Sequence, residues 1–466
     1  MRSRLLTFGL VAVALCALSE PSSCATEVSY WVWNRSSALS ADELGALKAQ
    51  GVTELYWHVG ELDDRAGEWR WRKAPITPPA SELRIIPVIR IDPRAREPFS
   101  PAATEGLVAK LRELIQARGW TELQIDCDTP DRLLGSYARA LGEIHRLVPR
   151  LAVTALAGWS RTPHWESLQQ NVDEIFPMFY DLETDPLGVG SGAGPRPFIE
   201  PEVIAAQLRD WSKCRIPWRA GLPNFARLTV YNTAGKSRGH IREWRWNDVC
   251  FNTALVDANI KAGAETVLLR AVQKTQIAGT SINANELIAA RWPNRAALAD
   301  AAVAAKAAKA NGVIFFRLPD STPGGAWSLP QLASLAASET PRLVLRRSDE
   351  GTLQLTNESS VDLEPRLTGA SERDRGYAVE VDAPAPIWRE AMEGDFWRVT
   401  AHANPDAKPQ PVAIPLATRL TFWFSHMHAG AQLESGLIQT APGAPLNAMR
   451  YRILNLPGSE GWRAVE

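Results

Sequence analysis

The run Gln124-Ile125-Asp126-Cys127-Asp128 sets two carboxylates at positions i and i+2. On an extended chain this puts both on one face, about 7 Å apart at Cα from a rise of roughly 3.3 Å per residue. Leu123, Ile125 and Cys127 take the opposite face. Carboxylates this close raise each other's proton affinity. A raised carboxyl is what a general acid needs near neutral pH, while an ionised partner orients or assists. The competing reading is structural, with each acid paired to an arginine at a neighbouring strand end, and Arg90 and Arg317 are suitably placed. A later run, Phe176-Pro177-Met178-Phe179-Tyr180-Asp181, ends in a phenol and a third acid.

Such residues act together only if several strands end on a common rim, and the apolar pattern predicts that. Eight short apolar runs occur in order: Ser29–Asn34, Thr53–Val59, Arg84–Asp92, Glu122–Asp128, Leu151–Trp159, Glu174–Asp181, Trp218–Asn224 and Gly312–Leu318. Helix-compatible segments lie between most of them: Ser40–Gln50, Ala102–Arg118, Arg132–Leu147, Pro201–Lys213 and Arg295–Ala310. The alternation predicts an α/β fold of parallel strands with right-handed crossovers, and eight units predict a (β/α)8 barrel. An open doubly wound sheet is the alternative, disfavoured because no glycine-rich phosphate loop opens any of these helices.

About ninety residues separate the seventh and eighth runs. They read as an insertion over about 229–295 at the barrel mouth, with Thr266–Val272 a rival for the eighth strand. After Pro341, alternating runs at Arg342–Arg346, Thr352–Thr356, Tyr377–Val381, Trp397–Ala401, Arg419–Phe424 and Met449–Leu454 are punctuated by turn formers. They predict an all-β, sandwich-like domain over 340–466, following a barrel domain over 26–335.

Function collects at the C-terminal strand ends of such a barrel. The candidate lining there is Trp33 and Asn34, His58 with Glu61, Arg90 and Asp92, Trp159, Asn224, Arg317 and Asp320. Aromatic rings suit the C–H faces of sugars, and acids and amides suit their hydroxyls. Trp occurs 18 times, and Trp33, Trp57, Trp159 and Trp327 fall near the predicted mouth; core packing competes for each ring. His58 and Glu61 would make an acid–base pair, against the plainer reading of a hydrogen-bonded structural histidine. The segment Gly188–Gly194 reads as a mouth loop, because it does not directly open a helix as a phosphate cradle would.

Met178-Phe179-Tyr180-Asp181, two strands after Asp126-Cys127-Asp128, resembles the chitinase-type glycoside hydrolases of family 18. The resemblance implies that Asp126 and Asp128 are catalytic, with substrate assistance, and that Tyr180 and Asp181 hold an acetamido group. That family's strand continues Asp-x-Asp-x-Glu, ending in the proton-donating Glu, where this chain has Pro130. Either Asp128 takes the acid role in a shifted register or the chemistry has been lost. The chain also resembles a bacterial family of glycosidase-like TIM barrels classed as a domain of unknown function. The features shared with it are an export signal, a fourth strand Gln-x-Asp-x-Asp and an eighth strand Gly-Val-x-x-Phe-Arg, and the likeness covers roughly residues 29–330.

The 466 residues are 45% hydrophobic and 22% charged, which suits a large buried core. Lys and Arg total 51 against 52 for Asp and Glu, so charge offers no reason to expect nucleic acid or an anionic membrane surface as partner. Arg2 and Arg4, an apolar run over Leu5–Leu18, then Ser23 and Ala25 have the layout of a signal peptide over 1–25. This predicts export to the periplasm or beyond and no membrane span in the mature chain, because the run is shorter than the roughly 20 residues a span needs. A membrane anchor, or a lipid on Cys24, are the alternatives; Pro21 departs from the usual lipobox. A Cys214–Cys250 disulfide is permitted by an oxidising compartment. No cofactor is expected, and no Cys or His cluster has metal-site spacing. Three functions are compatible: a carboxylate-based glycoside hydrolase acting on a polysaccharide, a non-catalytic carbohydrate-binding or envelope-assembly barrel, and a metal-dependent hydrolase using Asp126, Asp128 and His58. With seven histidines in the chain, the last has the least support.

Overall fold

The computed structural model describes residues 27–65, 68–182, 196–258, 266–319, 326–337, 339–369, 374–403, 410–444 and 448–466. The signal segment with Cys24, the Gly188–Gly194 loop and Asp320 lie outside them.

In chain order the first part contains β1 (Glu27–Val32), α1 (Ala41–Ala49), β2 (Glu54–Arg65), β3 (Glu68–Lys73), β4 (Arg84–Asp92), α2 (Pro101–Arg118), β5 (Glu122–Asp126), α3 (Leu134–His145), β6 (Arg150–Leu156), α4 (Trp165–Gln169), β7 (Glu174–Met178), α5 (Pro201–Trp211) and β8 (Arg219–Pro223). It continues with β9 (Arg227–Tyr231), β10 (Ser237–Ile241), α6 (Trp246–Cys250), β11 (Leu255–Asp257), β12 (Thr266–Ala271), β13 (Thr275–Ile277), β14 (Thr280–Ile282), β15 (Leu287–Arg291), α7 (Arg295–Ala307), β16 (Gly312–Phe316) and α8 (Leu329–Ala333).

Eight of these strands form a closed parallel barrel in the order β1, β2, β4, β5, β6, β7, β8, β16, with β16 returning to pair with β1. They are the eight strands expected from sequence. Helix ends are set locally: Ser40 and Glu43 form a capping box on α1, and Ser100 caps α2 ahead of Pro101. The second unit departs from the repeat, because β2 runs on past the barrel rim and folds back as the antiparallel β3 where a helix would stand. The rival eighth strand, β12, lies instead in a five-stranded antiparallel sheet of order β10-β9-β15-β12-β11.

Alternation sorts the lumen into layers. At the N-terminal end it is ionic: Arg219 pairs with Glu54 at 2.7 Å and Glu174 at 2.8 Å, Arg150 with Glu174 at 2.5 Å, and Arg84 with Glu54 and Glu122. Above this lies an apolar layer of Trp31, Tyr56, Ile86, Val88, Ala152, Phe176 and Ile314. Gly221 belongs to it by necessity, since a Cβ there would come within 3.0 Å of both the Trp31 ring and the Pro177 carbonyl. The opposite strand faces, among them Leu123, Ile125 and Cys127, pack against the helices.

The C-terminal part is all-β. A six-stranded antiparallel sheet (Gln410–Pro411, Arg398–Ala403, Arg419–Phe424, Tyr377–Asp382, Arg450–Leu454, Arg463–Ala464) faces a three-stranded sheet (Leu343–Arg347, Leu353–Asn357, Gln432–Glu434). They share a core that includes Leu345, Leu355, Val379, Phe422 and Ile453. Asp362 ties this part to the barrel, accepting from the Ser328 backbone N–H at 2.8 Å and the Ser328 hydroxyl at 2.6 Å at the start of α8. Cys214 and Cys250 are free thiols, and the permitted disulfide is not formed.

Candidate active site at the barrel mouth

Asp126 ends β5 on the lumen face, and Asp128 follows two residues later at the rim. A single guanidinium joins them: Arg90, on the adjacent β4, donates from Nη1 to Asp126 Oδ2 and from Nη2 to Asp128 Oδ2, each at 2.9 Å. The acids differ in exposure, with side chains 6% accessible for Asp126 and 43% for Asp128. The other Asp126 oxygen accepts from the Thr154 hydroxyl at 2.8 Å. That hydroxyl itself accepts from the Cys127 backbone N–H, which leaves its proton aimed at Asp126. Burial, and then the charge of Asp128, push the Asp126 carboxyl up to about 6, against the opposing pull of Arg90 and Thr154.

This shift has a stability consequence. An acid harder to ionise folded than unfolded contributes stability that is full below about pH 4 and is lost as pH rises through about 6. The Tm difference between wild type and Asp126→Asn is therefore expected to shift against wild type across that window in thermal scans. A difference independent of pH would contradict the assignment.

Tyr180 follows β7 on the lumen side, and its hydroxyl is held far above its ordinary value by burial and by the charges of Asp126, Asp128 and Asp181. Asp181 adopts a positive φ of 52° and pairs with Arg227 of β9 at 2.6 Å, so its carboxylate is engaged apart from the Arg90-linked pair. Trp33 lies just beyond β1 with its ring stacked on His58 at 3.9 Å. His58 is buried and stays neutral, its ring driven down to about 4 by burial and by Lys73. Its Nε2 is 3.5 Å from Glu61 Oε1. Glu61 pairs with Arg72, and Asp92 with Arg94 at 2.9 Å, on the rim that the β2–β3 hairpin builds.

Two expected lining residues, Trp159 and Asn224, are instead fully buried. Trp159 is fully buried on the helix side, because β6 ends at Leu156 and a short turn over Ala157–Arg161 carries the indole behind the barrel wall. There it donates to the Thr129 carbonyl at 3.2 Å and supports from behind the segment that bears Asp128. Asn224 spends its amide on backbone, donating to the Arg317 and Trp327 carbonyls and accepting from the Trp327 N–H. Arg317 directly follows the lumen-facing Phe316 at the C-terminal end of β16, and its carbonyl accepts from the Asn224 amide. Trp57 and Trp327 are also buried, with indole N–H groups on the carbonyls of Arg35 and Pro293. Of the four tryptophans expected at the mouth, Trp33 alone is there. Asn224→Ala is accordingly expected to destabilise the fold by about 1–3 kcal/mol in denaturant titration, from unpaired buried backbone groups, with ligand affinity little changed.

Reasoning from sequence passed over Thr154, Phe225 and Phe316. The last two join Trp33 and Tyr180 in one half-buried aromatic cluster, with centroid separations of 5.5 Å for Trp33–Phe316, 5.7 Å for Tyr180–Phe225 and 5.9 Å for Phe225–Phe316. The strand period, extended from buried Val153 and Phe315, would have flagged Thr154 and Phe316. Among the described residues, no group of three or more His, Cys, Asp or Glu is arranged to hold a metal, and no helix is long and apolar enough to cross a membrane.

No protein-family model matches the chain, and no curated protein does. Solved structures of similar architecture include chitinases and a spore cortex-lytic enzyme. The spore cortex-lytic enzyme SleL of Bacillus megaterium is 12% identical, with 64% of this chain and 72% of that one covered and a TM-score of 0.42. A chitinase of Chromobacterium violaceum is 13% identical, covers 68% of this chain and 100% of its own, and has a TM-score of 0.40. The multi-modular chitinase ChiW of a Paenibacillus is 11% identical over 94% of this chain and 56% of its own, with a TM-score of 0.44. These are likenesses of architecture, and none assigns a role to a residue here.

Proposed function

We propose that the barrel mouth is the active site of a glycoside hydrolase-like enzyme that acts on a polysaccharide through Asp126 and Asp128. The observation that carries this reading is a carboxylate pair, one buried with its carboxyl raised and one at the rim, beside half-buried aromatic rings at the C-terminal strand ends. Asp128 is the outermost acid on the β5 face, while Pro130, where the resembling family has its Glu, already caps the turn Asp131–Leu133. That supports the shifted register in which Asp128 takes the terminal acid's place. Tyr180 and Trp33 would meet the sugar, and Asp181 would act from the Arg227 side.

One observation favours a second reading, a non-catalytic carbohydrate-binding barrel: Arg90 engages both acids at once, as a purely structural pair would be engaged. Glycan-array binding by protein lacking residues 1–25, followed by product release on bound glycans, separates the two. Release lost in Asp128→Asn with binding retained supports the enzyme, whereas binding without release by wild type supports the second reading. Export, with Thr26 as the mature N-terminus, belongs to the same proposal and is checked by mass spectrometry of the secreted chain.

A further inference from the structure

The Arg90 fork is asymmetric in its surroundings. Asp126 is closed in by Arg90 from β4, Thr154 from β6, Tyr180 beyond β7, Asp128 on its own segment, and Cys127 with Tyr137 on the helix side. Its Oδ1 and Oδ2 are occupied by Thr154 and Arg90 respectively. Asp128 receives the second arm of the same guanidinium on Oδ2, yet its side chain is 43% accessible, so water can solvate its charge. One cation shared by two carboxylates offsets one negative charge fully and leaves the second to be met by solvent or by a proton. Solvent reaches Asp128, and burial penalises charge on Asp126.

We infer that Arg90 is a positioning residue that assigns the two acids their roles: buried Asp126 takes up the pair's proton, and rim-exposed Asp128 faces the ligand ionised. Arg90 acts through the carboxylates and need not touch a sugar. The shift of the Asp126 carboxyl toward neutrality runs in the same direction. The inference rests on the proposed glycoside reading only for its catalytic consequence, which is that Asp128 starts ionised and acts as the terminal acid only once it has taken up a proton, for which Oδ1 is available while Arg90 holds Oδ2. The assignment itself concerns the free protein.

The test is therefore made without ligand. Aspartate carboxyl carbons labelled with 13C are followed by NMR against pH in wild type, Asp126→Asn, Asp128→Asn, Arg90→Lys and Arg90→Met. One carboxyl titrating near 6 is expected in wild type, absent in Asp126→Asn and moved downward in Asp128→Asn. In Arg90→Met it should move upward by about 1–3 pH units, and Arg90→Lys, which keeps the charge, should return most of that shift. A titration near 6 that survives Asp126→Asn and vanishes in Asp128→Asn would reverse the roles. A midpoint unmoved by either Arg90 variant would reduce Arg90 to a structural tie. If Arg90→Met does not fold, Arg90→Gln, which also removes the charge but keeps a polar side chain, takes its place with the same upward shift expected. A protein that releases no sugar yet titrates as described leaves this inference standing while the glycoside reading fails.

Discussion

Asp128→Asn is expected to lower glycoside release on the order of 100- to 10,000-fold, the usual contribution of a positioned proton-transfer group, while glycan affinity changes by no more than severalfold. Asparagine keeps the size of aspartate and can still accept a hydrogen bond from Arg90 Nη2, so the rim should keep its shape. It can neither supply nor take up a proton at neutral pH. Release and binding must be measured on the same glycan, since a parallel loss of both would indicate a collapsed mouth. Asp126→Asn should also impair release. Its pH–rate profile should lack the limb expected of wild type near 6, because the carboxyl raised to that range is the one removed.

Arg219→Met is expected to cost about 3–5 kcal/mol in stability, the range for breaking a buried ion pair by removing one partner. Arg219 is almost wholly buried and bonds Glu54 and Glu174 at once, with Ser29 alongside. Burial works against the charge of Glu54, but Arg219 and Arg84 outweigh it and hold that carboxyl below its ordinary range. Methionine fills much of the arginine's volume and leaves two carboxylates facing each other in the barrel. Adding Glu54→Gln and Glu174→Gln should recover a large part of the loss, and denaturant titration of the single and triple variants measures it. A single variant as stable as wild type would show that Arg84 and Arg150 alone satisfy the layer.

Much of this architecture was legible in the sequence because parallel barrel strands announce themselves twice, as apolar runs and by the side-chain period of two. The period is strong in Glu122–Asp126, where Leu123 and Ile125 alternate with Glu122, Gln124 and Asp126, and it predicts Asp126 and Asp128 on the lumen face. The period fails once a strand ends. The apolar run predicts strand as far as Trp159, but β6 stops at Leu156 and the following turn rotates the indole to the helix side. The role of Asn224 escapes the local sequence for another reason, since its partners at 317 and 327 are brought to it only by the pairing of β16 with β8. The β3 hairpin is visible in Glu68-Trp69-Arg70-Trp71-Arg72-Lys73, whose alternation is that of a strand with one buried face, although a search for parallel strands joined by helices assigns nothing between Val59 and Arg84.

The ionic layer at the foot of the barrel bears on the timing of events at its mouth. With Arg219, Glu54 and Glu174 locked together below, and Trp31, Tyr56 and Phe176 packed above them, the lumen beneath Asp126 is filled by side chains, and the solvent-accessible Asp128 marks the rim side from which water reaches the pair. A chain seated across that rim would seal Asp126 off from bulk water. The protonation state of the acid would then be fixed at the instant of docking, and a pH jump applied after complex formation should reach it only as fast as the bound chain departs.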